Sequence, residues 1–210
     1  PADPQLQPES TNAALSTDVK VPMLVKFNHF IEGQTYQGLS AVAVRSYGAS
    51  QDAAMLNEPV TNAVFKLMDQ VAPRAAYAGV RINDQAEKLY SLAEQINSTY
   101  IETYYPGTEG VLYKAEMGAD FRYLGEDPSA YARFYDQQTL VNEADLAPLI
   151  AFTRFVTQST DAEFEADLAS HLNVEAFATY LAVNNLLVNA DSLADMGNNF
   201  YLFYNRSTAR

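Results

Sequence analysis

Asn173 to Tyr204, NVEAFATYLAVNNLLVNADSLADMGNNFYLFY, changes its periodicity twice, and this constrains the fold more than any other segment. Val174, Phe177, Leu181, Leu187 and Val188 recur at helical spacing. Asn173 stands where a side-chain oxygen can accept from the first free amides, so the spacing predicts a capped helix lying inside a core. The polar run that follows must leave that core, because it gathers Asp191, Asp195, Asn198 and Asn199 around Gly197. FYLFY then reads as a β-strand. Asn, Asp and Gly also favour plain solvated turns, so the loop alone leaves a turn and a functional loop both open.

Charge and composition narrow the function classes. The chain carries 26 acidic against 13 basic residues, a formal charge of −13. Such a surface repels phosphate backbones and anionic lipid, which argues against nucleic acid as a partner. There is no cysteine, so disulfides, thiolate metal sites and a Cys nucleophile are excluded together. His29 and His171 are the only histidines and lie far apart, an unfavourable start for zinc or Ser/His chemistry. No uninterrupted apolar run approaches the roughly 20 residues of a membrane span. At 210 residues and 48% apolar content, the chain has material for one large domain or two small lobes.

Taken in order, residues 1–20 read as an extended leader, rich in Pro, Ser, Thr, Asn and Asp and without periodicity. VPMLVKF alternates as a strand with Met23, Val25 and Phe27 on one face and Leu24 and Lys26 on the other, and LSAVAVR, ending at Arg45, is a second strand. A helix in two pieces follows. Ser50 is placed to cap the first piece, and Asn57-Glu58-Pro59 restarts it with proline in the first turn. Val60, Val64, Leu67, Met68 and Val71 make an apolar stripe expected to pack on the sheet.

AYAGVRI and KLYSLAE read as a hairpin across Asn83-Asp84, ending at Glu94. Pro106-Gly107 breaks the chain before GVLYKA, a short strand carrying Lys114. From Asp127 the pattern turns helical, with an Asp-Pro cap at DPSAYARFYD, then Glu143 to Thr157, then Asp161 to Leu172. The order predicts an α+β protein. Residues 21–106 form a β-rich lobe with one packed helix, and residues 107–210 form a helical lobe carrying the loop 189–199.

Several pieces in register resemble the CotH kinase family, named for the bacterial spore coat protein H: PMLVKFNHFIEGQTYQGL, MLNEPVTNAVFKLM, VAPRAAYAGVRIN, LYSLAEQI, GVLYKAE, VEAFATYLAVNNLLVNADS and NNFYLFYN. The likeness runs from about Pro22 to Asn205. It implies an atypical protein-kinase-like two-lobe fold that binds ATP and Mg2+ between its lobes and phosphorylates Ser or Thr on secreted, surface or spore-coat proteins outside the cytoplasm. Carried over by residue, Asp191 is the catalytic aspartate that orients the acceptor hydroxyl. Asn199 is the magnesium ligand, with Asn198 the alternate if the register slips. Lys26, or in its place Lys114, holds phosphate oxygens, Glu94 lies where the nucleotide base binds, and Glu58 pairs with a basic residue of the β lobe. With a net charge this negative, ATP needs magnesium to screen it.

The sequence also departs from the family pattern. A Trp-Asp pair is expected beyond the aromatic strand, whereas this sequence ends at Arg210 and contains no Trp, so a fold truncated at its C-terminus is expected. Asp84 and Lys88 stand where hairpin glycines are expected. A non-catalytic surface or coat protein that keeps the fold as a structural or binding module is therefore the alternative.

Overall fold

Strand alternation and one tight turn build the first sheet of the computed structural model, which describes residues 7–8, 20–46, 52–141 and 145–210. Gln7–Pro8 (β1), Met23–Lys26 (β2), Ala41–Arg45 (β3), Ala75–Val80 (β4) and Lys88–Glu94 (β5) pair antiparallel in the order β1-β2-β3-β5-β4. The expected Asn83-Asp84 turn sets the hairpin register, opposing Val80 to Lys88 and Ala75 to Ala93. Asn83 takes a positive φ of 52° there, a conformation asparagine tolerates better than most side chains. Met23, Val44 and Tyr90 are buried together on one face, with Val25 and Leu92 packed against them. Of the leader, Gln7–Pro8 and Lys20 fall within the described residues, the first two as an edge strand on β2.

The helix Asn57–Leu67 (α1) forms, but of its expected stripe only Val64 is half-buried. Leu67 is 81% exposed, Met68 52% and Val60 45%, and no residue of the helix is buried. Two polar anchors account for the rotation. The Asp52 carboxylate accepts from the amides of Leu56 (3.0 Å) and Asn57 (2.8 Å), capping the helix start. Glu58 lies 3.9 Å from Arg45 on β3. The half-buried side is thus mixed, with Glu58, Thr61, Asn62, Val64 and Phe65, while Val60, Leu67 and Met68 of the apolar row face solvent. Ser50 lies outside the described residues.

Ser98–Tyr104 (α2) buries Tyr100 and Ile101, and Asn97 Oδ1 accepts from the Tyr100 amide at 3.2 Å. The chain divides into two compact units, Pro1–Tyr104 and Tyr105–Arg210.

In the second unit Gly110–Ala115 (β6) is the central strand, flanked antiparallel by Tyr135–Gln137 (β7) and Tyr201–Asn205 (β8). A Cβ at Gly110 would fall 2.1 Å from the Tyr204 carbonyl, so this strand crossing requires glycine. Around the sheet lie Ala147–Gln158 (α3), Asp161–His171 (α4) and Val174–Leu186 (α5). Thr160 and Glu163 form a reciprocal capping box at the start of α4. Val111, Tyr113, Ala115, Tyr131, Leu149, Ile150 and Phe200 make the core.

Two expectations for this unit are corrected. The run from Asp127 is not a helix. Asp127 caps only a single 3-10 turn, Pro128–Ala130, after which Tyr135–Gln137 joins the sheet, because Tyr135 finds a core site beside Ala115 that local propensity does not report. Helix α5 does not lie wholly in the core either. Val174 is 40% exposed, Leu186 74% and Val188 85%, while Val183 and Asn184 are buried and Tyr180 packs on the core. Glu143, read into the preceding helix, lies outside the described residues. The fold is mixed α+β with antiparallel sheets and, among the described residues, five α-helices, none long and apolar enough to cross a membrane.

Candidate functional site

The loop after α5 is built from the helix outward. Asn184, 3% exposed, donates from its amide to the Tyr180 carbonyl (2.8 Å) and accepts from the Asn189 side chain (2.8 Å), so the helix end and loop start are tied by a buried amide. Ser192 is 1% exposed and donates to the Asn189 carbonyl at 2.8 Å. Its own carbonyl accepts from the amides of Gly197 (2.9 Å) and Asn198 (3.4 Å), folding the loop back on itself. Gly197 takes φ +60°, and a Cβ there would lie 2.2 Å from the Ala119 carbonyl. Only glycine fits that approach. The contact is locked by the Ala119 amide donating to the Gly197 carbonyl at 2.9 Å.

This bracing brings three of the expected residues together. The Asn198 side chain donates to Asp191 Oδ1 at 2.9 Å, and the Asn199 side chain donates to Asp191 Oδ2. Each carboxylate oxygen thus receives one amide N–H, which fixes the ring of three side chains. Because both NH2 groups point at the carboxylate, both Asn Oδ1 atoms are turned away from it. Asp191 and Asn199 are exposed and Asn198 is half-buried.

Lys114 belongs to the same unit. On β6 it stands opposite Asp136 of β7 and Tyr201 of β8, and its Nζ donates to Glu116 Oε1 at 2.7 Å. Burial pulls this ammonium down, but the hydrogen bond and charge of Glu116, with Tyr201 and Asp136 beyond, outweigh it and leave it above its ordinary value. Lys114 is charged at any physiological pH.

The remaining expected residues lie in the first unit. Lys26 is exposed at the end of β2. Glu58 is held near Arg45. Glu94 is 6% exposed, and its carboxylate accepts from Arg74 Nε (3.2 Å), Arg74 Nη2 (2.9 Å), the Arg74 amide (2.9 Å) and the Tyr104 hydroxyl (2.9 Å). Burial pushes the Glu94 carboxyl up, yet these donors and the guanidinium charge overcome it and hold it below the usual carboxylate range.

Arg74 and Tyr104 escaped the sequence reading. The signal was present, since a hairpin that opposes Ala75 to Ala93 also opposes Arg74 to Glu94. A further feature was not anticipated at all. A cavity of about 410 Å3 within the second unit is lined largely by aromatic and aliphatic side chains, among them Phe152, Phe177, Tyr180, Leu193 and Phe200, and by none of the expected site residues.

A loop presenting a carboxylate between two asparagine amides, on a mixed α+β frame, defines a protein with a polar site set at the edge of a small sheet. A family model described as CotH kinase protein matches residues 20–210. The chain belongs to that family. No curated protein matches it.

Proposed function

We propose that this CotH-family protein is a kinase that transfers the terminal phosphate of magnesium-bound ATP to Ser or Thr hydroxyls of secreted, surface or spore-coat proteins outside the cytoplasm, with its two units as the lobes of an atypical kinase-like fold. The observation that carries this reading is the exposed Asp191 carboxylate, gripped on both oxygens by Asn198 and Asn199 in a loop that a buried serine and a glycine hold in place. Asp191 orients the acceptor hydroxyl and takes its proton as the oxygen forms its bond to phosphorus and the bond to ADP breaks.

The donor set suits magnesium, a hard cation that takes oxygen ligands and is usually bound by few protein groups together with phosphates and water. The Oδ1 atoms of Asn199 and Asn198 would hold it. Bound there, it supplies neutralisation of the charge on the phosphates. Lys114, half-exposed and charged, gives the same unit a cation for phosphate oxygens, although Glu116 shares it. Glu94 supports the first unit from inside its hairpin, and Glu58 fixes the helix that follows β3.

A second reading, a non-catalytic surface or coat module, is favoured by one observation. Among the described residues no three His, Cys, Asp or Glu side chains gather to hold a metal. Isothermal titration separates the two. The kinase reading expects Mg-ATP to bind the parent chain and to bind Asn199→Ala at least about tenfold more weakly, a loss of about 1.4 kcal/mol. A parent chain that takes no Mg-ATP supports the non-catalytic module.

A further inference from the structure

From the second unit alone we infer that the aromatic cavity beside β8 seats an extended segment of the acceptor protein, which adds to β8 as a further strand and places an aromatic or aliphatic side chain in the cavity. That the segment belongs to an acceptor rests on the kinase reading above; the groove itself does not.

β8 is an edge strand, since the sheet runs β7-β6-β8. The Phe200 carbonyl accepts from the Ala115 amide and the Arg206 amide donates to the Glu109 carbonyl, both at 2.9 Å. These two bonds fix the phase of the ladder. Leu202 and Tyr204 turn their backbone groups to β6, and Tyr201, Phe203 and Asn205 turn theirs to the open edge. The turn that follows uses those of Asn205, whose amide donates to the Arg210 carbonyl at 2.9 Å and whose carbonyl accepts from the Thr208 amide at 3.3 Å. The Phe203 amide and carbonyl meet no partner among the described residues. Sheet edges are usually blunted by shortness, charge or proline. β7 is so protected, with three residues and an exposed Asp136. β8 is five residues, YLFYN, without charge or proline.

The cavity of about 410 Å3 lies along this edge. Tyr201 to Asn205 all line it, residues of both faces alike, and β6 already occupies the other edge. Phe152 of α3 and Phe177 and Tyr180 of α5 give it an aromatic wall. Backbone hydrogen bonds to a strand edge beside a pocket for alternate side chains are what β-strand addition requires of a receptor. The charge at the rim narrows the occupant further. None of the described lining residues is acidic, whereas His171 and Arg210 are basic, in a chain with 26 acidic and 13 basic residues. The Arg210 guanidinium donates to the Ala169 carbonyl at 3.0 Å and meets no carboxylate side chain among the described residues. An apolar residue with an acidic neighbour is the match.

The cavity also adjoins the acceptor loop. Leu193, two residues past Asp191, lines it, and the Leu193 amide donates to the Tyr180 hydroxyl at 3.4 Å. Phe200, next to Asn199, lines it as well. At about 3.3 Å per extended residue, a side chain seated beside Phe203 stands about four residues from a hydroxyl at Asp191. The groove thus selects acceptors with an apolar residue at that spacing.

The test is calorimetric titration of the 210-residue chain, without nucleotide, with a blocked nonapeptide that has Phe-Glu at its centre and Ser four residues from the Phe on either side. Exchanging the peptide's Phe for Ala is expected to weaken binding at least about tenfold, and its Glu for Gln about threefold. N-methylation of the backbone beside the Phe, which keeps every side chain, is expected to cost at least about tenfold. Ala176→Phe, which fills the cavity from α5, is expected to do the same; should it fail to melt cooperatively, the peptide changes on the parent chain carry the test. With Mg-ATP added, phosphate transfer to the Phe peptide is expected to exceed that to the Ala peptide at least about tenfold in kcat/KM. A Phe peptide that does not bind, or binds no better than the Ala peptide, overturns the inference and leaves the kinase reading intact. Equal binding of the N-methylated peptide overturns it in favour of simple apolar capture, and a dimer of the parent chain that Ala176→Phe dissolves overturns it in favour of a second copy. Binding as expected with no phosphate transfer supports the groove and overturns the kinase reading.

Discussion

Tyr131→Ala is expected to lower the unfolding free energy by about 3–5 kcal/mol, the range for removing a large buried aromatic. Tyr131 is 0% exposed and sits in the cluster that joins β6 to α3. Its hydroxyl accepts from the Leu124 amide at 2.8 Å, lies 3.1 Å from the Gly125 carbonyl and contacts Thr153 Oγ1 at 3.3 Å. Truncation opens a cavity and also strips partners from a loop amide and from a threonine that is itself fully buried. Tyr131→Phe, which keeps the ring, is expected to lose about 1–3 kcal/mol through the unpaired groups alone. The chain has no Trp, so urea denaturation followed by circular dichroism is the suitable measurement. A loss below about 1 kcal/mol for the alanine variant would show that this ring is not where the second unit is held together.

Asp191→Asn carries the largest expected effect on turnover. The substitution keeps the side chain's shape, so the loop braced by Ser192, Asn189 and Gly197 should remain folded and the melting temperature nearly unchanged. It removes the only group in the Asp191–Asn198–Asn199 ring that can take a proton from an acceptor hydroxyl. Loss of a positioned general base is worth about 10²–10⁴ in rate. Transfer of labelled phosphate from ATP to a Ser/Thr-rich acceptor protein is expected to fall by that factor, with Mg-ATP affinity changing much less. A variant retaining more than about a tenth of the parent rate would remove Asp191 from the proton-accepting role.

Much of this arrangement was written in local sequence. The Asn83-Asp84 turn fixes the hairpin register, and that register alone opposes Arg74 to Glu94. The alternation of VPMLVKF gives β2 and the short run GVLYKA gives β6, while Asn173 as a cap and the acidic residues from Asp161 mark helix starts that the structure forms. What local pattern missed depends on distant partners. Tyr135–Gln137 is only three residues long and is a strand because β6 offers an unpaired edge beside it. The rotation of α1 is set by Asp52 and by Arg45 on another element, and these override an apolar stripe that looked decisive by spacing.

The same division runs through the loop. Asp191, Asn198 and Asn199 were legible as a polar cluster, and they meet. The members that hold them in place were not. Gly197 reads in sequence as an ordinary turn residue, and its necessity emerges only when the Ala119 carbonyl lies where a Cβ would be. Asn184 carries no signal of its own in the sequence, and its burial shows it to be the strut on which Asn189 rests.

The most direct test of the account uses the paramagnetic ion Mn2+ in place of Mg2+. With the side-chain amides of the parent chain assigned by NMR, substoichiometric Mn-ATP is expected to broaden the NH2 signals of Asn198 and Asn199 before those of Asn184 and Asn189, because the first two carry the oxygens proposed to hold the metal. Broadening that spares Asn198 and Asn199, or that appears first at residues distant from the 189–199 loop, would contradict the assignment of this loop as the magnesium-nucleotide site.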